Sequence, residues 1–398
     1  MNIVVFSNPD FFGDQIRPKF SSMPRFTKMM ADGMEERGHQ VQVWAPKSSF
    51  FNLPLKGSMK KWMGYIDQYI VFPAQVNKWL KGCSADTLFV FTDQAQGPWV
   101  PLVANRHHVV HCHDFLAQAS ASGKIAEIKI SWTGRQYQNL IRKGLNKGKH
   151  FISGSKKTQE ELLKFLPEYP LSSDVVYNGI VKTFAPFDLF EARVILGKKV
   201  SLDLMPGYLL HVGNNQWYKN RSGVIEIYNA WRTKSKAKLP LLLVGEGLSP
   251  QLAKTLEQSP FKNDIHIICK LGDEDVRLAY AGATVFIFPS LAEGFGWPIA
   301  EAMASGCLVI TTDEAPMSEV AGDAGFLIPL RPDHSPAIQE WAVEAAKVVS
   351  KVIDLSDEER QIAVKAAINN AKRFDHDLAM NSIEVIYQNI ANGHTISV

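Results

Sequence analysis

Cysteine is scarce. Four occur in 398 residues, Cys83, Cys112, Cys269 and Cys307, and no Cys-x-x-Cys spacing is present. A disulfide scaffold and a zinc site built on paired cysteines are both excluded. Charge of one sign is missing too. Lys and Arg number 43 against 40 Asp and Glu, a net charge of +3. That is too little for a nucleic-acid footprint, so no nucleic-acid partner is expected. No apolar run reaches the roughly 18 residues of a membrane span. Met1 to Ser7 is strand-like and lacks a basic leader, so no signal peptide is expected and a cytoplasmic protein is. What is left is ordinary globular composition, 46% hydrophobic and 21% charged. The length exceeds one ordinary core, which predicts two α/β domains.

The first half opens with a strand at Ile3–Ser7 and a long polar loop. A helix is predicted from Pro24 to Arg37, with Phe26, Met29, Met30 and Met34 on one face, and then a strand at Val41–Trp44. That is a βαβ unit and favours a parallel sheet. Further strands are predicted at Thr87–Phe91, Val109–Cys112 and His150–Ser153. The pattern breaks near Tyr177-Asn178-Gly179, and residues 181 to 206 read as mixed, with Pro186, Gly197 and Pro206. The second half restarts with a strand at Tyr208–Gly213. Others follow at Pro240–Val244, Ile265–Ile268, Val285–Phe288 and Cys307–Ile310, with helical stretches between. Domains are therefore expected at 1–183 and 184–375, followed by a terminal helix, 376–398, carrying Leu378, Ile383, Ile386 and Ile390.

The most informative segment is Phe288-Pro289-Ser290-Leu291-Ala292-Glu293-Gly294-Phe295-Gly296-Trp297-Pro298-Ile299-Ala300-Glu301. An apolar strand leads in. Pro298 suits the first helical position, and Ile299, Ala302 and Met303 supply an apolar face. Glu293 thus falls in a glycine-rich loop at the carboxyl end of a strand, where open α/β sheets bind ligands. Glu301 falls in the first turn of the next helix. A carboxylate there either complements the helix dipole or accepts from paired hydroxyls. The segment resembles the Glu-x7-Glu signature of the family 4 retaining glycosyltransferases (glycosyltransferase group 1). Pro289-Ser290, Glu293 to Gly296, Pro298, Glu301 to Ala304 and Gly306 all stand in the family's order.

The resemblance implies the GT-B fold: two Rossmann-like, doubly wound α/β domains facing across a cleft, with the C-terminal helix crossing back to the first. It implies an acceptor-binding first domain and a nucleotide-sugar-binding second. In the family the second Glu, here Glu301, binds ribose hydroxyls. The first, Glu293, lies beside the donor sugar with the backbone of Gly294, Phe295 and Gly296. Gly213-Asn214-Asn215-Gln216-Trp217-Tyr218-Lys219-Asn220-Arg221 resembles the family's glycine loop, with Lys219-Asn220 matching its Lys-Asn step. The expected arginine is replaced by Tyr218, or at the alternative site by Asn214, which leaves Arg221 to supply the second cation on the diphosphate. His113, after an apolar strand, matches a histidine that contacts the donor sugar, and Asp114 would orient it or bind acceptor. Gly13 is the lone glycine of the first loop, where many members have a pair; that loop is expected to touch substrate.

Other patterns admit plainer readings. His111 and His113 alternate along a strand and share a face, but lack further ligands at zinc-like spacing. A packed pair is the simpler account of His111. Asp273-Glu274-Asp275 resembles a metal-holding Asp-x-Asp, yet acids also favour a helix start; no metal is expected. Leu55, Met59, Trp62, Met63, Ile66 and Ile70 fall at helical spacing beside Lys56, Lys60 and Lys61. Such a stripe is ordinarily core, and otherwise a face for an anionic membrane. The expected activity is retaining sugar transfer from a UDP- or GDP-sugar to a glycan or lipid-linked hydroxyl acceptor. No cofactor is expected, and peripheral contact with the inner membrane surface is. A sugar-nucleotide epimerase or phosphorylase, and a non-enzymatic sugar-binding protein, are the alternatives.

Overall fold

The computed structural model describes residues 1–11, 22–123 and 130–393. Two compact units are present, one of residues 1–177 with 379–398 and one of residues 178–378. Each is built on a six-stranded sheet, and all strand pairings among the described residues are parallel.

In the first unit the strands are β1 (Asn2–Phe6), β2 (Gln40–Trp44), β3 (Leu88–Phe91), β4 (His108–Cys112), β5 (His150–Ser153) and β6 (Ser172–Val175), in the order β2-β1-β3-β4-β5-β6. Parallel strands need crossovers, and the intervening helices cover both faces. This explains why β3 is an unbroken apolar run buried at every residue. One face is packed by aromatics: Phe6 stacks on Phe91 at 4.4 Å and meets Trp44, Phe72 and Trp99. The other face receives Phe26, Met30 and Met34 from the helix Ser22–Glu36. Met380, Ile383, Tyr387 and Ile390 of the helix His376–Ala391 join the same cluster. A buried hydrogen bond of 2.7 Å links Tyr387 to His111 Nε2 on β4.

The second unit carries β7 (Leu209–Gly213), β8 (Leu241–Gly245), β9 (Ile265–Cys269), β10 (Val285–Phe288), β11 (Val309–Thr312) and β12 (Phe326–Ile328). Their order is β12-β11-β10-β7-β8-β9. The winding reverses between β7 and β10. A crevice opens at such a point beyond the carboxyl ends of the strands.

Residues 181 to 206 differ from expectation, because they contain the helix Leu189–Val200. Asp188 caps it, its side chain accepting from the N–H of Glu191 at 2.8 Å. The helix buries Ala192, Arg193, Leu196 and Gly197 while Phe190, Val194 and Ile195 stay exposed. A buried face built around an arginine gives no apolar period to read. Arg193 donates to the carbonyls of Gly282 and Met205 at 2.8 and 3.1 Å. The polar edge strand β6 and the short β12 also escape sequence reading.

The Leu55–Phe72 stripe is not core along its whole length. The helix Gly57–Ile66 runs into a π-helical turn, Asp67–Val71, and then the helix Phe72–Trp79. Met59, Trp62 and Ile70 are 58%, 57% and 65% exposed. Phe72 and Val76 are fully buried. The buried carboxylate of Asp67 accepts from the backbone N–H groups of Ser49, Phe50 and Phe51 at 2.9–3.0 Å, fixing the preceding loop.

Two tests follow from this packing. A Cβ at Gly144, in the helix Trp132–Leu145, would lie 1.9 Å from the carbonyl oxygen of Gly97. Gly144→Ala is expected to destabilise the protein by about 3 kcal/mol, since two backbones must separate, as read by a lowered midpoint in chemical denaturation. Burial, and then the neighbouring His113 charge, push His111 down to about 3. The unfolded chain therefore takes a proton below about pH 6.5 that the native chain refuses until about pH 3. Stability from this group is complete above pH 6.5 and declines as pH falls through that window. His111→Gln should start less stable at pH 7 and lose less on acidification to pH 4.5. Parallel denaturation curves for the two proteins would contradict this.

Candidate functional site

The carboxyl ends of β7 and β10 in the second unit bring most of the expected residues together. β7 ends at Gly213, and a 3-10 turn, Trp217–Lys219, leads to Asn220 in the left-handed conformation (φ 50°). Asn220 is the N-cap of the helix Arg221–Lys234: its Oδ1 accepts from the N–H of Gly223 at 3.2 Å. Its Nδ2 donates to the carbonyl of Pro289 at 2.9 Å. The Lys-Asn step is thus a clamp as well as a motif. Both polar atoms of Asn220 are used, Oδ1 in capping its helix and Nδ2 in tying the β7 loop to the β10 loop. The N–H of Leu291 adds a second tie, to the carbonyl of Tyr218 at 2.7 Å. From the other side, the Thr311 and Thr312 hydroxyls donate to the carbonyls of Phe288 and Ser290, each at 2.8 Å.

Lys219 and Glu293 meet across these loops. Lys219 Nζ lies 2.7 Å from Glu293 Oε1, and the side chains are only 12% and 8% exposed. The same ammonium stands 4.9 Å from the Phe288 ring centroid and 5.4 Å from that of Tyr218. Tyr218, standing where an arginine was expected, supplies a cation–π face instead of a charge.

Arg221 is buried, only 4% exposed. Its Nη1 donates to Asn215 Oδ1 at 2.7 Å and to the carbonyls of Glu246 and Gly247 at 2.8 and 3.4 Å. Its Nε and Nη2 have no hydrogen-bond partner. Desolvation lowers its basicity, against the neighbouring Cys269 and Glu246, which raise it. His211 lies beneath: Nδ1 donates to the carbonyl of Ile287 at 2.9 Å, and Nε2 has no partner. A Cβ at Gly213 would lie 2.9 Å from that Nε2 and 3.7 Å from Lys219 Cβ. Burial first, and then the Arg221 and Lys219 charges, push His211 down to about 3, so it is neutral. Ser290 Oγ, also fully buried, is unpartnered. These are the buried side-chain polar atoms of the second unit without a partner among the described residues, and all belong to this one corner. Buried polar groups are ordinarily satisfied, so this corner is a candidate binding position.

Gly296 has φ 100°, a conformation that favours glycine. Phe295 is buried, its ring against those of Trp297 and Phe374 at 5.9 and 5.3 Å. Gly294 lies between Glu293 and Phe295 in the same loop. The helix Trp297–Ala304 begins one residue earlier than expected, so Pro298 is its second residue. Glu301 consequently falls in the second turn, not the first. A dipole-only role loses its basis, since that effect fades after the first turn. Glu301 is buried, with the Tyr280 hydroxyl donating to Oε2 at 3.5 Å. Burial, and then the Glu301 charge, hold Tyr280 well above its usual value, so it stays a donor.

The first unit holds His113 and Asp114 beyond β4. His113 Nε2–H donates to the carbonyl of Thr92 at 2.8 Å, which leaves Nδ1 as the unprotonated nitrogen. Its backbone N–H donates to Gln94 Oε1 at 2.9 Å, and its ring meets Phe26 edge-on at 4.5 Å. Burial lowers its basicity, against the Asp93 charge that raises it. The Thr92 carbonyl therefore orients this imidazole, while Asp114 Oδ1 accepts from the N–H of Leu116 at 3.1 Å. Gly13 lies outside the described residues. Asp273-Glu274-Asp275 opens the helix Asp273–Gly282, with Asp275 accepting from the Gly272 N–H. Among the described residues no group of three or more His, Cys, Asp or Glu stands together as a metal site.

Sequence reading missed His211, Asn215, Glu246 and Tyr280. The Gly245-Glu246-Gly247 turn after an apolar strand was the available signal: Glu246 Oε2 accepts from the N–H of Asn215 at 2.8 Å. A Cβ at Gly245 would lie 2.2 Å from the Gly213 carbonyl oxygen.

Comparison with known proteins agrees with this geometry. Residues 206–346 match the family model for glycosyl transferases group 1, and residues 23–183 match that for glycosyltransferase family 4. The O-antigen chain mannosyltransferase B of Escherichia coli is 32% identical over 243 residues, 60% of this chain and 60% of that protein. The chain thus aligns with less than two thirds of that relative. The phosphatidyl-myo-inositol mannosyltransferase of Mycobacterium tuberculosis is 24% identical over 380 residues, 91% of each chain. The structure of HepE from Anabaena, solved with UDP and glucose, superposes with a TM-score of 0.69 at 16% identity, covering 98% of this chain and 99% of that one. That likeness shows the two-domain GT-B fold. The family matches fall on both units, and the chain belongs to the family 4, group 1 glycosyltransferases.

Proposed function

We propose that the protein transfers a mannosyl group, with retention, from a nucleoside-diphosphate sugar to a hydroxyl of a glycan or lipid-linked acceptor in surface polysaccharide or glycolipid assembly. The observation that carries this is the corner at β7 and β10, where Lys219 pairs with Glu293 and buried Arg221 keeps two nitrogens without a partner. A diphosphate leaving group needs positive charge where negative charge develops, and these two cations meet the need without a metal. The mannosyltransferase relatives of E. coli and M. tuberculosis support mannose as the sugar.

In this reading Glu301 accepts from the two ribose hydroxyls. Glu293 and the Gly294-Phe295-Gly296 backbone face the sugar. The sugar–phosphate C1–O bond breaks and a new C1–O bond forms to the acceptor on the same face. The acceptor proton passes to the departing phosphate oxygen.

The reading extends to location. Among the described residues no helix is long and apolar enough to cross a membrane. Exposed Met59, Trp62 and Ile70 lie beside Lys56 and Lys61. The Tyr69–Tyr137 hydroxyl contact of 3.0 Å joins this face to the helix bearing exposed Trp132 and Leu140. An apolar strip flanked by lysines suits the surface of an anionic membrane, which supports a cytoplasmic protein working against the inner membrane surface.

A panel of UDP-, GDP- and ADP-sugars should give nucleoside diphosphate release with a mannose donor, unchanged by EDTA. Glu301→Ala should weaken nucleotide binding about tenfold, as for loss of a charge-assisted hydrogen bond. Silence with every donor and acceptor extract would refute the transferase reading. Flotation with vesicles should recover the protein with anionic lipid and not with neutral lipid alone. Met59→Ser with Trp62→Ser should abolish recovery; equal recovery would remove this face from the account.

A further inference from the structure

We propose that Glu293 is an intramolecular stand-in for the donor diphosphate: it occupies Lys219 when no donor is bound, and donor binding itself releases it toward the sugar. The inference rests on the donor-binding reading above and adds how the site is gated.

The two cations of the corner are held differently. Arg221 is anchored through Nη1 by an amide oxygen and two carbonyls. Lys219 has a carboxylate, at 2.7 Å, in surroundings that exclude most water. A phosphate entering beside that pair would stand against Glu293 with like charge, which is costly at close range. One anion must replace the other on Lys219. Exchanging carboxylate for phosphate keeps the local charge nearly balanced, so neither state leaves a buried ammonium alone.

The loop is built so that only the side chain has to turn. Its backbone is pinned before Glu293 by Asn220 on Pro289, by Thr312 on Ser290 and by Leu291 on Tyr218. After Glu293 it is pinned by buried Phe295 and the glycine conformation of Gly296. Glu293 therefore pivots on a fixed base between two partners, Lys219 and the donor sugar. With an intact donor, the carboxylate loses the ammonium and gains the sugar hydroxyls. With the nucleoside diphosphate product, the sugar is gone and nothing replaces the ammonium. Glu293 then competes for Lys219 and drives product out. Glu293 thus serves turnover as well as chemistry, and discriminates donor from product on a site that grips both by the same diphosphate.

The test is calorimetric binding of UDP and GDP, without sugar, to the full chain. Glu293→Gln should bind the preferred nucleoside diphosphate about tenfold more tightly than the parent protein, with stronger product inhibition in any residual turnover. A close charge pair carries a coupling of this size. Glu293→Asp, whose shorter carboxylate draws back from Lys219, should shift affinity in the same direction and guards against a folding failure of the first variant. The gain should vanish when Glu293→Gln is placed on Lys219→Gln. Unchanged or weaker affinity in both Glu293 variants overturns the proposal. So does a full gain that persists on Lys219→Gln, since plain repulsion would then account for it. If the parent protein binds neither diphosphate, it is the donor-binding reading that fails.

Discussion

Two residue pairs join β7 to β10, Leu209 with Val285 and Leu210 with Phe286. The chemistry assembled in the second unit depends on this short seam. It sets side by side two strands that are 76 residues apart in sequence, as His211 bonded to Ile287 shows. Beyond the seam the strands end and their loops face each other, since the sheet winds outward in both directions from that point. Asn220, Leu291, Thr311 and Thr312 then fasten loop to loop and loop to sheet. The site is preorganised by backbone anchors, and its charged groups ride on them.

The first unit uses the same principle with different parts. Its winding reverses between β1 and β3, and β4 follows β3 in the sheet. His113 sits where β4 ends, held by the Thr92 carbonyl and the Gln94 side chain from the turn after β3. A neutral imidazole with a fixed proton on Nε2 is a defined hydrogen-bonding group rather than a floating charge. In both units the strand supplies position and the neighbouring loop supplies orientation.

Much of this was readable from sequence because parallel sheets covered on both faces leave unbroken apolar strands, such as Val285–Phe288. The Glu293 to Glu301 spacing likewise located the loop and the helix after it. What could not be read depended on contacts distant in the chain. Arg221 looked like a free cation, but its direction is set by carbonyls at Glu246 and Gly247. Asn220 was readable only as a step of a motif, and its side chain is a clamp onto Pro289. Glu301 seemed to lie in a first turn, until the left-handed Gly296 let the helix start at Trp297. The helix Leu189–Val200 buries an arginine and so carries no apolar period. Met59 and Trp62 have core spacing but solvent exposure, because spacing reports a shared face and not what covers it.

The helix His376–Ala391 has a consequence for how the protein is made. The first unit is discontinuous: residues 1–177 are completed by 379–398. Met380, Ile383, Tyr387 and Ile390 belong to the same buried cluster as Ile3 and Val5. A ribosome that has released residues 1–177 has therefore delivered a sheet with one face still short of its cover. The second unit, contiguous from 178 to 378, has all its own parts before that cover emerges. Domains generally fold as they appear, amino-terminal first; here the order of completion is inverted. The earliest-made sheet is the last to close, and its exposed apolar face is the part of the nascent chain most in need of shelter.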